Sequence, residues 1–256
     1  MICFLSAANF LSIWDYHSST DMKKYFIAAI VLLFNLTLIA QENNFFVGAS
    51  SVYNIPVGMM SKRMQGNIGV MLFAGKPLST DWTWIGKFEY FKLTDVNKDE
   101  MKKFVKSDVL GDLKTFEFQL PKMKMEFTAA GLSAEAKYNL LRADGFNCDV
   151  NFGFGFYFWE YFRDSYKDSL TIDSSGTGNF VLIETLDVPS LRQKDWSGTL
   201  NFGTDLNFNF FHPLTFILSA NYKLIIAELW PTLALNLENV SGIQFIELRA
   251  GLKYEF

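Results

Sequence analysis

Residues 146–158 read FNCDVNFGFGFYF, and this stretch decides the fold. Every even position carries Phe, Cys or Val, whereas the odd positions carry Asn, Asp, Gly and one Tyr. Successive side chains of a β-strand point to opposite faces, so strict alternation over thirteen residues predicts a strand with one apolar and one polar face. An amphipathic helix would repeat its apolar residues every three to four positions instead.

The same alternation recurs along the chain, clearly in 199–210 and 244–256 and more weakly elsewhere. Most of these segments exceed the ~5–6 residues of ordinary globular strands and suit tilted membrane strands of ~9–11 residues with extensions. The pattern predicts eight strands, over 45–54, 66–75, 82–93, 125–140, 146–159, 196–210, 214–227 and 243–256.

The connections between these strands alternate in length. Short ones cover 75–81, 141–145 and 211–213, and long ones cover 55–65, 94–124, 161–195 and 228–242. Short turns at one end and long loops at the other are typical of transmembrane barrels, with both chain ends on the short-turn side. Within the long loops, apolar spacing predicts one amphipathic helix over 99–110, and the apolar loop 228–242 is predicted to cover the barrel mouth or to meet a partner.

Composition narrows the class of protein. The chain has 256 residues, of which 50% are hydrophobic and 17% aromatic, so it can repay the entropy of folding. A net charge of −4 argues against a nucleic-acid partner. A soluble sandwich or lipocalin-like barrel would turn its apolar face inward, but rows of this size and aromaticity exceed what one small barrel can enclose.

The first forty residues have the layout of an export signal. A basic start at Met22-Lys23-Lys24 precedes a 16-residue apolar stretch, 25–40, and the sequence becomes polar directly after Ala40. We predict an upstream extension over 1–21, a signal peptide over 22–40 with cleavage near Ala40, and a barrel over 41–256. A membrane anchor at 25–40 is the alternative, although the stretch is shorter than the ~20 residues of a spanning helix.

The last strand carries Leu248, Ala250, Leu252, Tyr254 and Phe256 at every second position. It resembles the closing strand of bacterial outer-membrane β-barrels, and the chain as a whole resembles the small OmpA-transmembrane, OmpX and opacity-protein group. The resemblance implies a monomer in the outer membrane, surrounded by lipid. It also implies that Phe256 is the signal recognised by the barrel-assembly machinery.

Alternation sorts the side chains into two faces. The interface aromatics that should mark the membrane borders are Trp82, Trp84, Tyr138, Trp159, Trp196 and Tyr254. The charges expected to form a network in the lumen are Lys87, Glu89, Glu135, Lys137, Asp149, Asp205, Lys223, Glu247 and Arg249. Hairpin register predicts Lys137 opposite Asp149 and Lys223 opposite Glu247. The network is interpreted as a structural plug, with a gated ion path as the alternative.

The sequence carries little that indicates catalysis, a metal or a cofactor. His212 is the one histidine of 41–256 and falls in a short turn, whereas Cys148 falls on the lipid-facing row. We expect a non-enzymatic structural or surface-interaction role in envelope integrity, adhesion or secretion, acting on an unknown surface ligand through loops 94–124 and 161–195. A narrow channel for ions or small solutes is the first alternative, and an outer-leaflet lipid-modifying enzyme is the second.

Overall fold

The computed structural model describes residues 45–109, 112–120, 123–173, 178, 180–232, 235 and 237–256. The predicted extension and signal peptide lie outside this part of the chain. The described residues include no helix that is long and apolar enough to cross a membrane.

Twelve strands and one short 3-10 helix, Gly58–Met60, make up the described chain. The strands are β1 (Phe46–Val57), β2 (Asn67–Pro77), β3 (Trp82–Leu93), β4 (Lys102–Val109), β5 (Asp112–Gln119), β6 (Met125–Ala143), β7 (Phe146–Arg163), β8 (Tyr166–Asp173), β9 (Phe180–Val188), β10 (Leu191–Phe211), β11 (Leu214–Leu229) and β12 (Val240–Glu255).

Eight of these strands close into one antiparallel barrel. The order around the ring is β1-β12-β11-β10-β7-β6-β3-β2, so each strand pairs with its neighbours in the chain once the two excursions are set aside. The ring closes where β1 pairs with β12 from Phe46–Glu255 to Val57–Gln244. Closure removes the free edges that a membrane core does not tolerate. The predicted eight-stranded up-and-down barrel is therefore confirmed.

The remaining four strands form two hairpins beyond the barrel, β4–β5 and β8–β9, each a two-stranded sheet. The predicted helix over 99–110 is wrong, because residues 102–109 form β4 and pair with β5 from Lys102–Gln119 to Val109–Asp112. Apolar residues at Met101, Val105 and Val109 fit a strand face as well as a helix face. The alternating partner strand decides between the two.

The barrel exterior presents an apolar belt. On β7 the outward row runs from Cys148 to Phe158, with Phe156 64% exposed. Eleven residues at ~3.3 Å rise and a tilt of about 40° span about 25 Å, the height of a membrane-facing band. Two outward ion pairs, Lys92–Glu126 at 2.8 Å and Arg192–Glu160 at 2.5 Å, lie beyond it at the long-loop end. The exterior therefore has the surface of a protein embedded in lipid.

Candidate functional site inside the barrel

The middle of the lumen holds a layer of eight charged side chains, each with less than a tenth of its surface exposed. Inward positions of β3, β6, β10, β11 and β12 supply them, because side chains alternate between the faces of each strand. The cations are Lys87, Lys137, Lys223 and Arg249, and the anions are Glu89, Glu135, Asp205 and Glu247. Four charges of each sign make the layer neutral, as burial requires.

Lys223 lies at the centre of this layer. Its Nζ lies 2.6 Å from Glu89 Oε2 and also contacts Glu247. The ring centroid of Tyr157 lies 4.7 Å from the same Nζ, within the range of a cation–π contact. Tyr157 Oη donates to Glu89 Oε2 at 2.9 Å, so the carboxylate is held from two sides.

Arg249 continues the layer towards the opposite wall. Its Nε donates to Glu247 Oε2 at 3.1 Å, and its Nη1 lies 3.8 Å from Glu135 Oε1. Glu135 in turn pairs with Lys87. Since β12 and β6 are four strands apart in a ring of eight, the contact between Arg249 and Glu135 spans the full width of the lumen.

The register differs from the two predicted pairings. Lys137 lies opposite Asn151, and its ion pair is with Asp205, whose Oδ1 also accepts from Asn151 Nδ2 at 3.0 Å. Asp149 is instead held by Asn139 Nδ2 and Asn207 Nδ2, each at 2.7 Å. Ala143 pairs with Phe146, so the turn is only Asp144-Gly145 and not the predicted 141–145. This shorter turn explains why the prediction of Lys137 opposite Asp149 is wrong, and a bulge between Asn139 and Leu141 also shifts the register by one residue.

The second predicted pair forms by a different geometry. Lys223 lies opposite Phe245, and Asn221 lies opposite Glu247. The long lysine side chain reaches Glu247, which is its diagonal neighbour on the paired strand. Long side chains commonly contact such diagonal neighbours. The contact between Lys223 and Glu247 exists, but the backbone register that was predicted for it does not.

A glycine makes room for Tyr157. Gly131 lies opposite Tyr157 on the neighbouring strand, and a Cβ at Gly131 would stand 2.4 Å from the tyrosine ring. That approach is closer than any side chain permits, so only glycine lets the ring lie against the β6 backbone. The ring can then place its hydroxyl on Glu89.

An apolar plug fills the lumen at the long-loop end. Barrel residues and loop residues contribute to one buried cluster, and its largest members include Trp159, Tyr161, Phe127, Phe91, Phe245, Met60, Met64 and Met101. Phe127 and Trp159 stack with their ring centroids 6.2 Å apart. The loop 228–242 contributes Leu235 and Leu237, so the described part of this loop covers the mouth of the barrel as the first of its two alternatives predicted.

Trp159 belongs to the plug and not to the membrane interface, which corrects one of the predicted interface residues. It is 2% exposed, and its Nε1 donates to Ser197 Oγ at 2.8 Å inside the barrel. Position 159 is odd and therefore shares the inward face of β7 with Tyr157. Parity alone could have placed it there.

The other predicted interface aromatics point outward. Trp82 and Tyr138 form a ring pair 5.0 Å apart at the short-turn end, next to Trp84. Tyr254 packs against Phe256 with ring centroids 5.0 Å apart. Trp196 is 68% exposed towards the long-loop end. Their contact with lipid headgroups stays a prediction, as does the role of Phe256 in assembly.

Two buried arginines were missed by sequence reasoning. Arg63 follows the 3-10 helix, and Arg163 ends β7 on the inward face. Parity could have found Arg163, because its position is odd like that of Trp159. Loop residue Arg63 carried no periodic signal.

Few described groups could support catalysis. His212 lies in the β10–β11 turn at the short-turn end, and Cys148 is a free thiol on the outward row of β7. Among the described residues, no group of three or more His, Cys, Asp or Glu side chains could hold a metal ion. A cleft of about 660 Å³ opens at the long-loop rim, lined by both signs of charge, including Asp95, Lys98, Lys124 and Glu126.

The closed ring, the lipid-type exterior and the filled interior define an eight-stranded barrel of the outer-membrane class. No family model and no curated protein matches the chain. Among solved structures, it is similar to Neisserial surface protein A, with 13% identity, a TM-score of 0.44, and coverage of 83% of this chain and 97% of that one.

Two further solved structures of outer-membrane proteins are similar to the chain. One is a major outer membrane protein from Thermus thermophilus, with 12% identity, a TM-score of 0.48, and coverage of 83% of this chain and 99% of that one. The other is the outer membrane protease OmpT from Escherichia coli, with 8% identity, a TM-score of 0.39, and coverage of 84% and 97%. The fold assignment rests on the closed strand order of this chain itself.

Proposed function

We propose that the chain is an outer-membrane protein with a sealed interior, acting through its extracellular hairpins in a structural or surface-interaction role. The observation that carries the proposal is the filling of the lumen. The apolar plug covers one end, and the neutral charge layer spans the middle. A barrel of eight strands has room for little beyond its own side chains.

The two hairpins provide the surface for such a role. Phe104 on β4 is half exposed, and Phe180, Val181 and Leu182 form an apolar run at the start of β9 with Phe180 70% exposed. Lys103 Nζ lies 3.8 Å from Glu184 Oε1, which brings β4 and β9 together. Exposed apolar residues on a projecting element suit a partner-binding surface.

A narrow channel is the second candidate, and one observation favours it. The side-chain amides of Asn201 and Asn221 are buried on the β10–β11 wall, and none of their N or O atoms bonds to another described group. Buried amides normally have partners, and water takes that role in an aqueous lumen. A hydrated path along this wall would give a small conductance.

Single-channel recording in a planar bilayer tests the sealed barrel against the channel. We expect no steady openings from the wild-type protein. The variant Phe127→Ser/Phe245→Ser, which weakens the plug, serves as a positive control and should open intermittently. Steady openings of the wild-type protein would overturn the sealed-lumen proposal.

The location has its own test. We propose residence in the outer membrane after removal of 22–40, with the mature chain beginning at Gln41. The outer-membrane fraction should contain a band that migrates differently before and after boiling, because a closed hydrogen-bonded barrel resists detergent. A protein found in the periplasmic fraction without such a shift would contradict this location.

The proposed role is non-enzymatic. A lipid-modifying enzyme would need a proton-transfer group at the extracellular rim, near the outer leaflet. Histidine is the side chain that most readily transfers protons near pH 7, and the one described histidine, His212, lies at the opposite end of the barrel. Incubation of the purified barrel with lipid A, followed by mass spectrometry of the lipid, should show no change in acyl chains or phosphates.

A further inference from the structure

Arg63 and Arg163 are buried cations without a buried anion. Arg63 is 1% exposed and Arg163 is 4% exposed. Each described cation of the mid-barrel layer contacts a carboxylate, but neither of these two arginines has a carboxylate partner in the described chain. Buried charges in proteins are normally paired, so these two are exceptions that need an explanation.

The protein contacts of the two guanidinium groups meet on one segment. Arg63 Nη2 donates to the carbonyl oxygens of Trp230 and Glu238, at 3.2 and 2.6 Å. Arg163 Nη1 contacts Thr232 Oγ1, and its Nη2 donates to the carbonyl oxygen of Pro189 at 3.0 Å. Both arginines therefore face the described residues between Trp230 and Glu238, from the inner side of the barrel mouth.

Each guanidinium group has one nitrogen whose hydrogen-bond donor is unpaired. Arg63 Nη1 and Arg163 Nε are both buried and have no acceptor among the described residues. Because Arg63 contacts the carbonyl group of Trp230 and Arg163 contacts Thr232, two positive charges with unused donors meet at one short segment and create a region of positive potential.

From this arrangement we infer that Arg63 and Arg163 form a binding site for a small phosphate-type oxyanion at the mouth of the barrel. The planar guanidinium fork matches tetrahedral oxyanions and donates more than one bond to each. Thr232 Oγ1 adds a hydroxyl at the same place. The anion would neutralise both arginines next to Trp230, Thr232 and Glu238. This inference does not depend on the proposed surface role.

The alternative is a purely structural role, in which the two arginines connect loops by donating hydrogen bonds to backbone carbonyl oxygens. The two roles differ in one measurable respect, because a structural tie does not respond to added anion. A phosphate site predicts saturable binding and a stability that rises with anion concentration.

The test uses the full mature barrel purified in phosphate-free detergent. Inorganic phosphate is titrated by calorimetry, and side-chain ¹⁵N-arginine spectra follow the Nε–H signals. We expect one saturable site, with the Arg163 signal shifting on addition of phosphate. The variant Arg63→Gln/Arg163→Gln should bind at least tenfold more weakly. Arg192→Gln, which changes an exposed arginine paired with Glu160, is the matched control and should bind like the wild type.

A second arm separates the two sources of phosphate. Micelles containing lipid A are compared with micelles containing its dephosphorylated form. Binding of inorganic phosphate identifies a free anion as the ligand, and a response to lipid A alone identifies a lipid headgroup. The inference is overturned if the wild-type Arg163 signal moves with neither probe, or if the double variant binds like the wild type. The wild-type spectra decide the matter even if the double variant fails to fold.

Discussion

Lys137 shows how a single buried charge is stabilised in the lumen. It pairs with Asp205 on a strand two places away in the ring, and both side chains are almost completely buried. Removing one partner of such a pair leaves an uncompensated charge. We therefore expect Lys137→Met to lower the free energy of unfolding by about 3–5 kcal/mol, measured by urea denaturation in phospholipid micelles.

The matched double variant separates charge from packing. Lys137→Met/Asp205→Asn removes both charges and should recover most of the loss. Lys167→Met breaks a pair with Asp187 in which both side chains are more than half exposed, and it should leave stability almost unchanged. A double variant as unstable as the single one would show that the ion pair is not the cause.

Gly131 gives a second prediction for one residue. Gly131→Ala places a Cβ against the ring of Tyr157 and should destabilise the barrel by about 1–3 kcal/mol, because the ring must move off Glu89. Gly86→Ala is the control, since the nearest atom to its Cβ is 4.0 Å away. Equal stability of the two variants, measured by the same denaturation, would contradict the steric argument.

Sequence parity predicted most inward charges at this scale, because alternation is fixed by strand geometry. Parity also predicts that Trp159 faces inward, but the residue was assigned to the membrane interface because it is a tryptophan. The pairing of Lys137 was mispredicted because the turn was taken as 141–145, whereas the two-residue turn Asp144-Gly145 sets the register. The burial of Arg63 could not be predicted, because its hydrogen-bond partners are carbonyl groups more than 160 positions away in the sequence.

The two hairpins beyond the barrel, β4–β5 and β8–β9, are elements that the sequence could not specify. The spacing of Met101, Val105 and Val109 is ambiguous between helix and strand, and the decision comes from pairing with β5. The barrel strands were easier, since their long alternation excludes a helix. Thus eight barrel strands were predicted, whereas the four hairpin strands were assigned to loops or to a helix.

Removal of one hairpin tests its independence from the barrel. Met101 and Leu120 are joined by a backbone hydrogen bond of 3.0 Å, so residues 102–119 can be replaced by a short Gly-Ser turn. We expect the shortened protein to keep the heat-dependent gel shift, because the barrel ladder is unchanged. Any surface binding that depends on Phe104 should be lost.

The complementary variant keeps the hairpin and changes only its surface. Phe104→Ser should reduce partner binding and leave the gel shift intact. Loss of the gel shift in the hairpin replacement would mean that the hairpin is needed for barrel closure. Such a result would contradict the division into barrel and excursion.

For the molecule as a whole, the lipid-facing exterior can be tested by quenching. Brominated phospholipids quench tryptophans that touch the acyl chains. In variants that keep one tryptophan and replace the others with Phe, Trp196 should be strongly quenched and Trp159 hardly at all, because only Trp196 is outward. Similar quenching of both would show that Trp159 is not inside the barrel.

The contacts that cross the lumen have a mechanical consequence. Lys223 and Glu89 join β11 to β3, and Arg249 and Glu135 join β12 to β6, each pair linking strands that are diametrically opposite. An unfilled cylinder of eight strands could be flattened to an ellipse by lateral pressure at little cost. The two ion pairs that cross the lumen resist that deformation. A change in membrane tension should therefore leave the cross-section round and should reach the loops as a rigid-body tilt of the barrel.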